Sequence, residues 1–146
     1  MQAPPTPYGS TMAASDREPP AAACSTVVLV DDDPAIRASL AFSLGLEGFA
    51  VQGFETGEAL LDTGDLSGDG CLVLDYRLPG MDGLTLLAIL RRRGVSMPAV
   101  VITSNPTRAI RQRTAEAGAL LIEKPLLCDS LTAGIRSLIA SRTTAA

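Results

Sequence analysis

The sequence contains no histidine among its 146 residues. For this chain, the absence excludes Ser-His-Asp and Cys-His nucleophilic sites, histidine-ligated zinc and acid–base catalysis by an imidazole. Any chemistry that the chain performs must therefore use carboxylates, lysine, hydroxyl groups or a hard metal ion.

Cysteine, long apolar runs and positive charge are also scarce. The cysteines Cys24, Cys71 and Cys128 are odd in number and far apart, which indicates reduced thiols in a cytoplasmic protein and neither a disulfide framework nor a zinc site. No apolar run approaches the roughly 18–20 residues of a membrane span, and the first residues lack the pattern of a secretory signal. A net charge of −4, with no long basic run, argues against nucleic-acid binding. We therefore expect neither a membrane nor a nucleic-acid partner.

The composition, at 47% hydrophobic and 19% charged residues, is that of one ordinary globular domain. Residues 1–25 are rich in proline, alanine, serine and threonine and show no periodicity, which predicts a disordered tail. We expect the folded domain to span residues 26–140 and a short C-terminal tail to occupy residues 141–146.

Five short apolar stretches alternate with five amphipathic segments along the folded domain. The stretches predicted as strands are Thr26–Val30, Ala50–Phe54, Cys71–Asp75, Pro98–Ile102 and Ala119–Ile122. The predicted helices begin at Pro34, after Thr56, and at about Leu84, Thr107 and Asp129; the first has an apolar stripe of Ile36, Leu40, Leu44 and either Phe42 or Leu46. This alternation predicts an α/β fold, a doubly wound parallel sheet with helices on both faces.

The stretch Cys71–Asp75 is four apolar residues that run directly into one carboxylate. A continuous apolar run of this length is typical of a strand buried on both faces at the centre of a parallel sheet. Asp75 would then lie at the carboxyl edge, where open α/β sheets bind their ligands. Because an unpaired carboxylate is costly there, something positive is expected beside it.

Polar residues follow the other predicted strands at the same edge of the sheet. They are Asp31, Asp32 and Asp33 after the first strand, Thr103 after the fourth and Lys124 after the fifth. Carboxylates crowded together repel one another, and Mg²⁺, which prefers oxygen ligands, would relieve that repulsion. Lysine and a hydroxyl suit a phosphoryl group, and aspartate is a known covalent phosphate acceptor.

Each of these residues also has an ordinary structural explanation. Asp33 is predicted to cap the first helix, with Pro34 at the first helical position. Thr103 alone would be a turn residue, and Lys124 followed by Pro125 would be a loop. The argument for a functional site depends on all of them lying at one edge of one sheet.

Four segments of the chain resemble the receiver domain of two-component response regulators. They are Val30–Pro34, Leu74–Gly83, Val101–Thr103 and Ile122–Pro125. Within that family, the sequence is most similar to receivers of the nitrogen-fixation regulator type (FixJ-like). The resemblance covers about residues 26–140. It implies a flavodoxin-like (βα)5 fold with strand order 2-1-3-4-5.

The resemblance also implies a role for each site residue. Asp75 corresponds to the phosphoacceptor and also to a metal ligand. Asp31 and Asp32 correspond to the acidic pair, and the backbone carbonyl of Arg77 would complete the shell around Mg²⁺ (or Mn²⁺).

On the phosphoryl side, Thr103 corresponds to the switch hydroxyl and Lys124 to the lysine that pairs with the phosphate. The bond between Lys124 and Pro125 is expected to be cis, which X-Pro bonds adopt at modest cost. In one departure, Leu121 stands where receivers often carry a tyrosine or phenylalanine that reports phosphorylation.

By resemblance, the partners are a histidine kinase or histidine phosphotransferase, and a downstream protein or a second copy bound through the fourth helix and fifth strand. About six residues follow the last predicted helix, so we expect a single-domain receiver, although a fragment of a longer regulator remains open.

Two other functions are kept as alternatives. A degenerate receiver would act as a scaffold without phosphorylation. A haloacid-dehalogenase-type phosphatase would use Asp31-Asp32-Asp33 as its Asp-x-Asp motif, but it leaves Asp75 without a role.

Overall fold

The computed structural model describes residues 25–63, 66, 69–125 and 128–145. The expected tail, residues 1–25, lies outside them except for Ser25. The described residues form one five-stranded parallel sheet in the order β2-β1-β3-β4-β5. The predicted α/β fold and the strand order 2-1-3-4-5 are therefore confirmed.

Strands and helices alternate from one end of the described chain to the other. The strands are β1 Thr26–Val30, β2 Ala50–Phe54, β3 Gly70–Asp75, β4 Ala99–Thr103 and β5 Leu120–Glu123. The helices are α1 Pro34–Leu46, α2 Gly57–Thr63, α3 Gly83–Arg92, α4 Arg108–Glu116 and α5 Cys128–Ala145. Each strand feeds the helix that follows it, as a parallel sheet requires.

The strand β3 lies at the centre of the sheet, and every one of its residues is buried. Alternate side chains enter two hydrophobic clusters on opposite faces: Cys71 and Val73 pack with α1 and α5, whereas Leu72 and Leu74 pack with α2 and α3. The uninterrupted apolar run in the sequence is thereby explained, because both faces of the strand are covered.

Short polar side chains begin the helices that follow the carboxyl edge. Asp33 accepts hydrogen bonds from the backbone N–H of Ala35 at 2.9 Å, as predicted for the cap of α1. Asp82 caps α3 and Thr107 caps α4 in the same way. These caps satisfy N–H groups that have no partner within the helix.

Two details differ from the sequence-based expectations. The helix α5 continues to Ala145 and does not end near residue 140, because nothing from residue 141 onward is a glycine or proline that would stop it. The expected tail at residues 141–146 is therefore helical as far as Ala145. On α1, Phe42 and Leu46 are 69% and 72% exposed, so the buried stripe is Leu44 with half-buried Ile36 and Leu40.

No helix in the described part of the chain combines the length and the apolar character that a membrane crossing needs.

Candidate functional site

The register of the sheet brings the predicted site residues to one edge. Val30 pairs with Leu74, so Asp31 and Asp75 follow neighbouring strands at the same level. On the other side of β3, Thr103 ends β4 opposite Glu123, and Lys124 comes next. The backbone N–H of Lys124 donates to the carbonyl of Thr103 at 2.9 Å, which holds the ends of β4 and β5 together.

Three carboxylates meet between β1 and β3. One oxygen each from Asp31, Asp32 and Asp75 lies within 4.8 Å of the others. Asp31 and Asp75 are buried, at 2% and 5% exposure, whereas Asp32 is exposed. Two buried carboxylates beside a third, open to solvent on one side, form an all-oxygen set of the kind that hard divalent cations prefer.

Burial and like charge act together on Asp31. Desolvation raises the pKa of its carboxyl group above the ordinary value of 3.8, and the nearby charge of Asp75 raises it further. The backbone N–H of Asp33, which donates to Asp31 Oδ1 at 2.9 Å, and the charge of Lys124 oppose this rise. The ionised form of Asp31 is therefore electrostatically unfavourable unless a cation binds among the three carboxylates.

This unfavourable ionisation predicts a dependence of stability on pH in the metal-free protein. A raised pKa in the folded state means that stability is present below the unfolded-state pKa and is lost as pH rises through the folded-state pKa. We expect Asp31→Asn to have a free energy of unfolding about 1 kcal/mol higher than that of the wild type at pH 7 in EDTA. Urea unfolding measures the difference. The advantage should shrink as the pH falls toward 3.8. Asp62→Asn, which removes an exposed carboxylate on α2, is the control. A less stable Asp31→Asn at pH 7 would contradict this account.

Lys124 supplies the positive charge expected beside Asp75. Its Nζ lies 3.3 Å from Asp75 Oδ2, and only 26% of the lysine side chain and 6% of the aspartate side chain are exposed. Asp75 Oδ1 accepts a hydrogen bond from the backbone N–H of Arg77 at 3.1 Å. The peptide bond between Lys124 and Pro125 is cis, as expected.

Thr103 and Arg77 lie at the same edge but contribute different groups. Thr103 is 1% exposed, and its hydroxyl donates to the carbonyl of Ser104 at 3.3 Å. The side chain of Arg77 is exposed, and the residue approaches Asp75 through its backbone. Leu121 is half-buried in β5, opposite Val101.

Several contacts that support the site were not predicted from the sequence. The Arg37 guanidinium donates from α1 to the carbonyl of Asp31 at 2.7 Å. At Gly83, a Cβ would lie 2.5 Å from the carbonyl oxygen of Asp75, so the loop after β3 closes only around a glycine. No pattern in the sequence gave the direction of the Arg37 side chain.

Two arginines connect α4 to the residues next to the site. Arg113 lies 3.4 Å from the hydroxyl of Tyr76, which follows Asp75, and 3.7 Å from a carboxylate oxygen of Asp82. Arg111 pairs with Glu123, which precedes Lys124, at 3.3 Å. Both of these arginines of α4 therefore have partners on neighbouring elements.

A groove of about 380 Å³ opens beside the site, between α1 and the start of α5. Most of its walls are apolar, formed by side chains such as Ile36, Leu40, Pro125 and Leu131, and Lys124 is the one site residue that lines it. Lys124 therefore adjoins both this groove and Asp75 of the acidic cluster.

The family model described as response regulator receiver domain matches residues 27–136. The chain belongs to the response regulator receiver family. The predicted family is therefore confirmed. Receivers are signalling domains of two-component systems and not classical enzymes.

Curated relatives support a FixJ-like receiver. The chain is 38% identical over 112 residues to the transcriptional regulatory protein FixJ of Azorhizobium caulinodans, covering 76% of this chain and 53% of that protein. It is 40% identical over 101 residues to FixJ of Rhizobium meliloti, covering 68% and 50%. The chain thus spans about half the length of the curated relatives it matches, and these are named as whole regulators.

Solved structures agree with this assignment. The crystal structure of FixJ-N has a TM-score of 0.73 at 35% identity, covering 80% of this receiver and 94% of that chain. A CheY-like receiver from Methanospirillum hungatei has a TM-score of 0.78 at 24% identity, covering 84% and 99%, and shows the shared fold. These comparisons show the receiver family, which is the family predicted from the sequence.

Proposed function

We propose that this receiver accepts a phosphoryl group on Asp75 from a phosphohistidine of a histidine kinase or histidine phosphotransferase, and that phosphorylation switches protein–protein interactions. One observation carries the proposal. The carboxylate at the end of the buried central strand lies between two further carboxylates, within 4.8 Å, and the ammonium of Lys124, at 3.3 Å. A nucleophile with a cation on one side and an acidic pocket on the other suits phosphoryl transfer, which needs positioning and neutralisation of charge.

The acidic pocket is assigned to a divalent cation. Asp31, Asp32 and Asp75, together with the backbone carbonyl of Arg77, would hold Mg²⁺ (or Mn²⁺), and their oxygen donors fit a hard cation. The bound ion supplies positive charge against the carboxylates and the phosphoryl oxygens.

The residues of this chain carry the transfer itself. A carboxylate oxygen of Asp75 attacks the phosphorus, the P–O bond to Asp75 forms, and the P–N bond of the phosphohistidine breaks. The electron pair of that bond returns to the imidazole nitrogen of the donor, which lies outside this sequence because these 146 residues contain no histidine. Lys124 is placed to pair with a phosphoryl oxygen. The Thr103 hydroxyl, now bonded to Ser104, would change partner to donate to another.

The consequences of phosphorylation are assigned to the surface of α4 and β5. Thr103 ends β4, and Lys124 begins the segment after β5. A shift of either residue would therefore move groups next to that surface. Its partner is a downstream protein or a second copy of the chain. Because Leu121 replaces the usual aromatic residue, we assign the coupling to movement of α4. We place the receiver domain at residues 26–140 and assign its action to the cytoplasm.

The proposal is tested by labelling the wild-type protein. We expect incubation with Mg²⁺ and acetyl phosphate to add one phosphoryl group to each chain, measured by intact-protein mass spectrometry. Borohydride reduction of the acyl phosphate, followed by peptide mapping, should place it at Asp75. The addition should be absent when EDTA replaces Mg²⁺.

Other outcomes of the same experiment identify the alternatives. Label at Asp31 would favour the phosphatase mechanism and contradict our assignment. A protein that takes no label and does not bind beryllofluoride with Mg²⁺ would be a receiver scaffold that functions without phosphorylation.

A further inference from the structure

We infer that Arg37 is a positioning residue for the acidic pair, because it fixes the peptide group that joins Asp31 to Asp32. The inference rests on the proposed function, in which these two carboxylates hold a divalent cation. It assigns a role to a side chain that touches neither the cation nor the phosphoryl group.

The contact is short and carries a charge. Arg37 Nη1 donates to the carbonyl oxygen of Asp31 at 2.7 Å, in a partly buried position, so the side chain reaches back from the first turn of α1 to the end of β1. Hydrogen bonds from an ionised donor are shorter and stronger than neutral ones. Among the residues that the structure describes, Arg37 has no carboxylate within salt-bridge distance, so its guanidinium is committed to this carbonyl.

The accepting carbonyl belongs to the peptide plane that contains the Cα atoms of both Asp31 and Asp32. Because a peptide group is planar, holding its oxygen fixes the orientation of the whole unit. Other contacts restrain Asp31: its N–H donates to the carbonyl of Phe54 at 3.1 Å, and its carboxylate accepts from Asp33. Asp32 is exposed, and no hydrogen bond of its carboxylate to another described residue is found. The direction of that ligand therefore depends on the backbone that Arg37 holds.

The sheet leaves room for Arg37 at one position. Gly53 lies in the edge strand β2, and a Cβ there would be 3.3 Å from both Cγ and Cδ of Arg37. The arginine stem thus lies against the bare backbone of the strand. A glycine that weakens a strand is explained by the side chain that covers it, which is independent support for a fixed Arg37.

The test compares four proteins: wild type, Arg37→Met, Arg37→Lys and Arg93→Met. Methionine keeps an apolar stem over Gly53 but removes the donor, and lysine keeps the charge with a different donor geometry. Arg93 is the matched control, because its Nη1 also donates to a backbone carbonyl, that of Leu61 at 2.9 Å, away from the site. The first readout is the dissociation constant of Mg²⁺ for the unphosphorylated protein, measured by calorimetry. Urea unfolding in EDTA shows whether each variant is folded.

We expect Arg37→Met to weaken Mg²⁺ binding about tenfold, as loss of a residue that orients metal ligands does. Arg37→Lys should recover part of the affinity, and Arg93→Met should bind Mg²⁺ as the wild type does. Labelling by acetyl phosphate should slow in Arg37→Met at low Mg²⁺ and return close to the wild-type rate at saturating Mg²⁺, because the ligands themselves are intact.

The results separate this inference from the proposed function. If the wild type is labelled and Arg37→Met binds Mg²⁺ within twofold of it, Arg37 has a structural role only and the inference is overturned. If the wild type binds Mg²⁺ but takes no label, the proposed function fails, and the Mg²⁺ affinities still decide the role of Arg37. If the wild type binds no Mg²⁺, the metal site and the inference fall together.

Discussion

Replacing Asp75 by asparagine is expected to abolish phosphoryl labelling, with a fall in rate of at least about 100-fold. Asparagine has nearly the same shape, so β3 keeps its packing, but its amide cannot act as the oxygen nucleophile. The side chain is 5% exposed and already held by Lys124 and by the N–H of Arg77. A loss of labelling would therefore show that the nucleophile is missing, and not that the phosphoryl donor fails to reach the site. Intact-protein mass spectrometry after incubation with acetyl phosphate and Mg²⁺ measures it.

The matched control is Asp82→Asn, which removes a carboxylate from the same loop. Asp82 caps α3 by accepting from the N–H of Thr85 at 2.7 Å, and asparagine is an equally good cap. This variant should be labelled at close to the wild-type rate. Label that persists in Asp75→Asn would refute the assignment of Asp75.

The second large effect is expected from Lys124→Met, which should lower the free energy of unfolding at pH 7 by about 2 kcal/mol. The substitution leaves a buried carboxylate, 6% exposed, without the ammonium at 3.3 Å and close to two other carboxylates. Breaking a buried ion pair by removing one partner is costly, because the remaining charge stays desolvated. Urea unfolding in EDTA measures the change. Labelling should also fall, because the phosphoryl oxygens lose their cation.

The chain offers a control of equal distance and different burial. Arg111 Nη2 and Glu123 Oε1 also lie 3.3 Å apart, but these side chains are 56% and 50% exposed. Glu123 directly precedes Lys124 in the sequence. Arg111→Met should therefore cost less than about 0.5 kcal/mol. In an Asp75→Asn background, Lys124→Met should lose most of its cost, because the charge that needs pairing is gone. Equal costs in both backgrounds would show that the lysine acts through packing.

The pattern of the sequence was sufficient for the fold class, whereas the strand order was predicted from the resemblance to receiver domains. Regular alternation of strand and helix patterns defined a parallel sheet, and the apolar run before Asp75 placed β3 at its centre. The cap at Asp33 was visible because a short polar side chain before a helix has a local role. The site residues could be grouped because each one directly follows a strand or ends it, and parallel strands end at one edge.

What the sequence could not provide depends on distant contacts. Long flexible side chains such as Arg37 and Arg113 find their partners only after the elements have packed. Phe42 and Leu46 have the same hydrophobicity as their buried neighbour Leu44, but the rotation of α1 against the sheet leaves them exposed. Gly53 is a glycine within strand β2, and its explanation lies on another element, in the stem of Arg37.

The arginine contacts of α4 also set a thermodynamic condition on any acidic partner of that helix. Such a partner would compete with Asp82 and Glu123 for Arg113 and Arg111, and so release contacts to the residues that adjoin Asp75 and Lys124. Coupling free energies between two sites are reciprocal. To the extent that phosphorylation changes the affinity for the partner, the bound partner must change the free energy of phosphorylation by the same amount. The partner would then help to determine what fraction of the protein is phosphorylated at equilibrium.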